Sequence, residues 1–233
     1  MKILDQEQTR AALPYGELID AVDQGFCGAY EAPLRHHHYL ENAEEEDDVL
    51  LLMPAWRAEG FGGIKLVNVV PGNSKRGRAA LSSSYVLFDR ETGAHLLLAD
   101  GGELTARRTA AASALAARRL ARPESATHLI IGAGRVGFNL AQAYREVLPM
   151  TRTLVYDIMP ENAARTVANL NEMGIAAEVT KSVNGSMNIR DRMVNTSARW
   201  IASECADIFF NLCCIAGVPF IYWYFPVALQ GAL

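Results

Sequence analysis

The sequence predicts an α+β domain over residues 1–122, followed by an incomplete α/β Rossmann domain over residues 123–233. Two observations carry this prediction. In the first part, several predicted strands follow one another without intervening helices, as in antiparallel sheets. In the second part, a glycine-rich turn joins an apolar strand to a helix, as in a nucleotide-binding βαβ unit. With 233 residues, half of them hydrophobic, the chain can bury the cores of two modest domains.

The composition narrows the classes of partner. The net charge is −4, which gives no reason to expect a nucleic acid or an anionic membrane as partner. The four cysteines lack the spacing of metal ligands or of a disulfide framework. We therefore expect reduced thiols, no metal site and a cytoplasmic protein. The first residues are polar and contain no signal-peptide run.

The N-terminal region begins with a short strand at residues 3–4 and an amphipathic helix over residues 14–30. The adjacent histidines His36 to His38 then precede an acidic run, which is expected at a hairpin tip. On a strand, His36 and His38 share one face and His37 takes the other, and no further spaced ligand stands near, so a polar strand is favoured over a metal site. Arg35 beside them is a candidate for bidentate binding of a substrate carboxylate.

Lys65 lies in the middle of a predicted strand over residues 61–70. Its neighbours Ile64, Leu66 and Val67 are apolar. An ammonium group held among them has lost water and needs an anionic partner. Two interpretations remain open at this point: a functional lysine, or a lysine on a solvated face of the strand.

Further strands are predicted at residues 49–53, 80–88 and 95–99, with a loop at residues 71–77. A long alanine-rich helix follows over residues 104–122.

Two arginines, Arg107 and Arg108, fall at the predicted beginning of this helix, where cations oppose the helix macrodipole. In one interpretation, one of the pair clamps a carboxylate or a phosphate. In the other, both are surface residues held by Asp100 or Glu103.

The glycine-rich turn supplies the candidate cofactor-binding residues. They are Gly132, Ala133, Gly134, Arg135, Val136, Gly137 and, 20 residues after the last glycine, Asp157. The first glycine makes the tight turn, the second lets backbone amides approach a pyrophosphate, and the third lets the helix pack against the strand. A helix over residues 160–173 and a strand over residues 175–179 complete a βαβαβ pattern. The alternative is an ordinary glycine-rich turn without a ligand.

The identity of the dinucleotide depends on Asp157, which is placed at a strand end, where a carboxylate can bind both ribose hydroxyls. The same carboxylate repels a 2′-phosphate, so NAD(H) is favoured over NADP(H). Arg152 and Arg165 lie near it in sequence and make this preference moderate.

Five stretches together resemble the ornithine cyclodeaminase/mu-crystallin family, over roughly residues 1–180. They are Leu-Leu-Met-Pro-Ala-Trp (51–56), Gly-Gly-Ile-Lys-Leu-Val (62–67), Val-Pro-Gly-Asn (70–73), Asp-Gly-Gly-Glu-Leu-Thr-Ala-Arg-Arg-Thr-Ala-Ala (100–111) and Gly-Ala-Gly-Arg-Val-Gly (132–137). The resemblance implies a substrate-binding and dimerisation domain followed by a Rossmann domain, and hence a homodimer.

The resemblance also implies roles for three residues. Arg35 and Arg108 would hold an amino-acid carboxylate, and Lys65 would contact the substrate near the reacting nitrogen as the catalytic residue. The implied reaction is NAD-dependent conversion of L-ornithine to L-proline and ammonia through an imine. The alternatives are an NAD(P)H-dependent reductase of a cyclic imino acid or ketimine, an amino-acid dehydrogenase of the same family, and a non-catalytic mu-crystallin-like binding protein.

The last part of the chain, from about residue 181, is apolar and does not show the family's motifs. The acidic residue that assists the amine chemistry in the family is not found there, which leaves the non-catalytic alternative open. Residues 208–233 contain no charged side chain. Three interpretations of this tail compete: a divergent edge of the Rossmann sheet, a truncated or frame-shifted end, and a membrane span.

Overall fold

The structure, a computed structural model, describes residues 1–181 and 194–195. The described residues form two compact units, one built from Met1–Glu17 and Gln24–Thr105, the other from Leu18–Asp23 and the described part of Ala106–Ile215. The predicted class, an α+β part followed by a Rossmann-type α/β part, is confirmed. The predicted domain division after residue 122 stays a prediction. The predicted alternatives for the tail concern residues 208–233, which lie outside the described ones.

The first unit is built on a six-stranded sheet with the order β1-β6-β5-β4-β3-β2, in which only the β1–β6 pair is parallel. The strands are β1 (Lys2–Leu4), β2 (His36–Leu40), β3 (Asp48–Trp56), β4 (Phe61–Val69), β5 (Leu81–Asp89) and β6 (His95–Asp100). Two helices, α1 (Gln6–Ala11) and α2 (Tyr15–Cys27), stand between the first two strands in the chain. The connection between β2 and β3 carries the acidic run, at the predicted hairpin tip.

Register divides this sheet into a buried inner face and a half-buried outer face. One inner row runs across four strands, with Met53 opposite Lys65, Lys65 opposite Tyr85, and Tyr85 opposite Ala99. All four residues are buried. Because side chains alternate along a strand, the neighbouring residues Ile64 and Leu66 belong to the outer face. The inner face therefore holds the core of the first unit, with a lysine among its residues.

Two short helices were not predicted. Helix α1 begins with a capping box, in which Asp5 accepts from the Gln8 amide and the Gln8 side chain accepts from the Asp5 amide. The predicted loop at residues 71–77 is a 3-10 helix, Pro71–Arg76. It ends at Gly77, whose φ of +65° is a left-handed conformation that glycine adopts at little cost.

The long helix α3 (Gly101–Leu120) begins three residues earlier than predicted. Asp100, the last residue of β6, accepts a hydrogen bond from the Glu103 amide at 2.6 Å, which is the usual role of an N-cap aspartate. Arg107 and Arg108 therefore lie in the second turn. The prediction that they occupy the first turn, against the macrodipole, is wrong.

The second unit contains a parallel sheet with the order β10-β7-β8-β9. Its elements are β7 (Thr127–Ile131), α4 (Arg135–Arg145), β8 (Arg152–Tyr156), α5 (Pro160–Glu172), β9 (Ala177–Val179) and β10 (Val194–Asn195). Ile130, Val155 and Leu170 are fully buried and form the centre of its core. Among the described helices, none combines the length and the hydrophobicity that a bilayer crossing demands.

A histidine lies inside this second core. His128 on β7 is fully buried and stacks on Tyr144 of α4, with ring centroids 4.4 Å apart. Burial lowers the pKa of His128 to about 3, because a charged imidazolium would lose its water there. The imidazole is therefore neutral near neutral pH.

Candidate functional site

Lys65 lies at the centre of the inner face of the first sheet and is 5% exposed. Its Nζ donates a hydrogen bond to Oγ1 of Thr105 on α3, at 2.7 Å. The interpretation of Lys65 as a residue of a solvated strand face is therefore wrong. An ammonium group kept in a buried position by a specific acceptor is typical of a functional lysine.

The neighbours of Lys65 limit where its side chain can lie. Tyr85 stands directly opposite on β5 and is 1% exposed. Its ring covers Gly63, where an added Cβ would lie 1.9 Å from the phenol oxygen. Burial raises the pKa of the Tyr85 phenol, so the ring is neutral beside the lysine. A larger residue at position 63 would displace this ring.

Arg35 lies just before β2 and is exposed. The adjacent His36 pairs with Leu52 on β3, and the next residue of β3, Met53, pairs with Lys65. Arg35 is thus two strands away from Lys65, a separation of roughly 10 Å at the usual strand spacing. The structure brings it near the same row of the sheet without burying it.

The three histidines form part of β2 and are all exposed, as expected for a polar strand. His36 and His38 pair with Leu52 and Leu50, and His37 pairs with Leu51, so the alternation of faces has the predicted pattern. Within the described residues, no group of three histidine, cysteine, aspartate or glutamate side chains is arranged to hold a metal ion.

Arg107 and Arg108 differ in burial. Arg107 is 6% exposed, whereas Arg108 is half-buried. The alternative that both are surface residues is wrong for Arg107. Glu103, the partner that the second interpretation named, accepts hydrogen bonds from Arg10 at 2.9 Å and from Gln6 at 3.3 Å, so it ties α1 to α3. Arg108 belongs to the second unit.

The glycine-rich turn between β7 and α4 has the geometry that a pyrophosphate requires. Gly132 has a φ of +101° and donates its amide to the Tyr156 carbonyl at 2.8 Å. Gly134 caps α4 and is exposed, and a Cβ added there would meet nothing within 4 Å. At Gly137 an added Cβ would lie 2.2 Å from the Gly132 carbonyl oxygen. Only glycine lets the helix approach the turn so closely.

Ala133, between the first two glycines, is hydrogen-bonded on both sides. Its amide donates to Oδ2 of Asp157 at 2.6 Å, and its carbonyl accepts from Oγ1 of the buried Thr166 at 2.9 Å. Asp157 also accepts the Met159 amide at 2.9 Å. These backbone hydrogen bonds, the one from Ala133 first, lower the pKa of Asp157. The carboxylate is therefore ionised, and its remaining lone pairs can accept from ribose hydroxyls.

The two arginines named near Asp157 differ in position. Arg152 is the first residue of β8, whereas Asp157 follows its last residue. Arg152 forms an ion pair with Glu178 at 2.5 Å. Arg165 on α5 donates to Asn162 at 2.7 Å. Glu178 thus holds Arg152 at the start of β8, away from the end of the strand that Asp157 follows.

Sequence reasoning missed two threonines of the site. Thr105 lies in the family-like stretch 100–111, four residues after Gly101. This spacing, which is one helical turn, was the available signal that its hydroxyl could bond to the Gly101 carbonyl. Thr166 gave no local signal, because its partner Ala133 is 33 positions away in sequence.

Comparison with known proteins shows a match of residues 2–211 to the family model of the ornithine cyclodeaminase/mu-crystallin family. The chain belongs to this family. The match extends beyond residue 180, the point to which the motifs could be followed in the sequence.

Named relatives of this ornithine cyclodeaminase/mu-crystallin family member include an ornithine cyclodeaminase of Agrobacterium fabrum. It is 38% identical over 136 residues, which are 58% of this chain and 38% of that enzyme. A solved structure of Δ1-pyrroline-2-carboxylate reductase from Thermococcus litoralis, in complex with NADH and L-proline, superposes with a TM-score of 0.71 at 30% identity. The superposition covers 84% of this chain and 61% of that enzyme.

An archaeal alanine dehydrogenase dimer with bound NAD superposes with a TM-score of 0.69 at 30% identity, covering 84% of this chain and 60% of that chain. The chain spans about half the length of the curated relatives it matches. These relatives differ in reaction, so they identify the family and the fold while leaving the substrate open.

Proposed function

We propose that the protein is an NAD-dependent enzyme that converts L-ornithine to L-proline and ammonia. The observation that carries the proposal is the buried Lys65, hydrogen-bonded to Thr105 within a chain that also has a complete glycine-rich turn. Burial removes water from an ammonium group and costs stability, so a functional role would explain why a lysine occupies this position. Acid–base chemistry at a substrate amine is such a role.

The residues present fit a bound dinucleotide. The open space above Gly134 and the close approach at Gly137 leave room for phosphates at the start of α4. In this proposal the Asp157 carboxylate accepts hydrogen bonds from the ribose hydroxyls. The chemistry that a bound nicotinamide would supply is reversible hydride transfer with the substrate carbon. Within the same proposal, Arg35 and Arg108 bind the carboxylate of the substrate. The Lys65 ammonium discourages a second charged amine nearby, so that the substrate nitrogen can lose its proton.

A second candidate is the single reduction of a cyclic imino acid by NADH. It is supported equally by similarity, since the reductase with bound NADH and L-proline is among the solved structures described above. Lys65 would then donate a proton to the imine nitrogen. The third candidate is a protein that binds nucleotide and ligand without turnover.

One set of assays separates these candidates. The purified chain is incubated with NAD⁺ and L-ornithine, and ammonia and proline are measured. In parallel it is given NADH with Δ1-pyrroline-2-carboxylate, or with pyruvate and ammonia, and the loss of NADH absorbance is followed. Ammonia and proline in equal amounts support the cyclodeaminase, and NADH loss supports the reductase or the dehydrogenase. NADH binding without turnover supports the binding protein.

Cofactor choice provides a separate test. The protein should bind NADH more tightly than NADPH, because Asp157 repels a 2′-phosphate. Asp157→Asn removes the charge and keeps an oxygen for the Ala133 amide, so it should shrink the ratio of the two dissociation constants by about tenfold or more. Asp157→Ala also removes the hydrogen bond to the Ala133 amide and should weaken the binding of both NADH and NADPH. Equal binding of NADH and NADPH by the wild type would contradict this assignment.

We further propose that a second copy of the chain covers the outer face of the first sheet. Register places one apolar row there across five strands, namely Pro54, Ile64, Val86, Leu98 and Ile3. Antiparallel sheets usually present polar residues on a face open to water. Sedimentation velocity should therefore show a dimer, and Ile64→Lys, in the middle of the row, should yield monomer.

A further inference from the structure

The hydroxyl of Thr105 makes two hydrogen bonds with different directions. It accepts from Nζ of Lys65 at 2.7 Å and donates to the carbonyl oxygen of Gly101 at 2.6 Å. Gly101 lies one turn earlier in α3, so the second bond is the back-bond that threonine forms within a helix. The hydroxyl thus connects a strand residue to the helix 40 positions later.

The chemistry of a hydroxyl fixes its role here. A hydroxyl has one proton, and this one is directed to the Gly101 carbonyl. Toward Lys65 it therefore presents only a lone pair. The back-bond also selects one side-chain rotamer of Thr105, since threonine in a helix divides between two rotamers and only one of them reaches this carbonyl. The acceptor offered to Lys65 is fixed in both position and direction.

The lysine side chain itself has four rotatable bonds and no intrinsic preference for one end position. Met53 and Tyr85 stand on either side of it on the neighbouring strands and confine its stem. Its terminal nitrogen is held by the Thr105 oxygen. We infer that Thr105 is the positioning residue for Lys65, which fixes the ammonium group where it exchanges a proton with the substrate nitrogen.

This inference rests on the proposed function for its catalytic consequence. A reacting group displaced by about 1 Å can lose up to about 10²-fold in rate while the substrate still binds. Thr105→Val keeps the branched shape and removes the hydroxyl, whereas Thr105→Ser keeps the hydroxyl. Ser113→Ala is the matched control, because Ser113 makes the same kind of back-bond in α3, to the Thr109 carbonyl at 3.1 Å.

The kinetic experiment measures kcat and KM for each variant with the substrate pair that the wild type uses, together with the Kd of NADH. Thr105→Val should lower kcat by about 10–10²-fold with KM and the Kd of NADH nearly unchanged. Thr105→Ser should restore most of kcat, and Ser113→Ala should match the wild type. Wild-type kcat in Thr105→Val would overturn the inference, as would a loss of equal size in Thr105→Ser. Thermal unfolding of each variant identifies any loss that comes from misfolding.

A second measurement does not depend on turnover. The chain has four lysines, Lys2, Lys65, Lys75 and Lys181, so ¹⁵N-lysine labelling gives few Nζ signals. Lys65→Met assigns the signal of interest by its disappearance. This signal should move in Thr105→Val and stay in place in Thr105→Ser and Ser113→Ala.

An Nζ signal that is unchanged in Thr105→Val would overturn the inference by itself. Absence of turnover by the wild type with every substrate pair would instead contradict the proposed function, and the Nζ signal alone would then decide the role of Thr105.

Discussion

The two candidate binding regions are built by different means. Around Lys65 the geometry comes from side chains, with a lysine on β4 held by a threonine on α3 and confined by Tyr85. At the β7–α4 turn it comes from the backbone, where a positive φ at Gly132 and the absence of a Cβ at Gly137 create the space. A side-chain site depends on which functional groups are present. A backbone site depends on which atoms are missing, so the two regions should respond differently to substitution.

The largest expected effect comes from removing the functional group of the first region. Lys65→Met keeps the volume of the stem and deletes the ammonium group, so turnover should fall by about 10²–10⁴-fold, the usual contribution of general acid–base catalysis. The Kd of NADH should stay nearly the same, because the β7–α4 turn keeps its backbone geometry. Steady-state kinetics and NADH fluorescence titration measure the two quantities. Brisk turnover by Lys65→Met would remove this lysine from the mechanism.

Arg108 tests the proposed binding of the substrate carboxylate by a side chain. Arg108→Ala should weaken binding of the amino-acid or imino-acid substrate by on the order of 2–5 kcal/mol, the usual cost of breaking a buried charge pair. NADH binding should change little. Arg118→Ala is the control, since Arg118 lies on the same helix and forms ion pairs with Asp20 and Asp23. Equal substrate affinities for both variants would place Arg108 outside the substrate site.

The backbone region should respond to a single added methyl group. In Gly137→Ala the new Cβ meets the Gly132 carbonyl, and overpacking of this kind costs about 1–3 kcal/mol, so both the thermal stability and the affinity for NADH should fall. In Gly134→Ala the Cβ enters open space, so stability should be retained while the methyl obstructs the approach of the phosphates. Calorimetry with NADH titration distinguishes the two. Unchanged unfolding in Gly137→Ala would show that the helix can shift freely.

The smallest effect concerns pH and the second core alone. The folded chain keeps His128 neutral down to about pH 3, whereas the unfolded chain binds a proton below about 6.5. Its contribution to stability is therefore complete above pH 6.5 and is lost as the pH falls from there toward 3, by up to about 1.4 kcal/mol per pH unit. Urea unfolding at pH 7.0 and 5.5 measures the loss. His128→Phe should reduce this pH dependence, and His36→Phe, at an exposed position, should not.

The sequence was most informative where the geometry is local. The turn at Gly132 to Gly137 and the acidic residue after β8 could be predicted. The spacing of the glycines between an apolar strand and a helix indicates the steric role of each one. The burial of Lys65 could be suspected from the apolar residues around it. The start of α3 was misplaced because Gly101 and Gly102 are poor helix formers, while the capping by Asp100 outweighs them.

The partners of the site residues could not be predicted. Thr105 and Lys65 are 40 positions apart in sequence, and Thr166 and Ala133 are 33 positions apart. Such contacts depend on long-range packing, which no local pattern encodes. The exposed position of Arg35 depends in the same way on where β2 begins relative to β3.

The double attachment of Ala133 bears on how a dinucleotide binds. When a loop becomes ordered only on ligand binding, the loss of its conformational entropy weakens the affinity. Here Asp157 and Thr166 restrain the amide and the carbonyl of the same residue before any ligand arrives. Because the turn is already ordered, little of the interaction energy with the phosphates is offset by ordering the loop. Association should then resemble rigid docking, with a small entropic penalty and a rate set by diffusion and orientation.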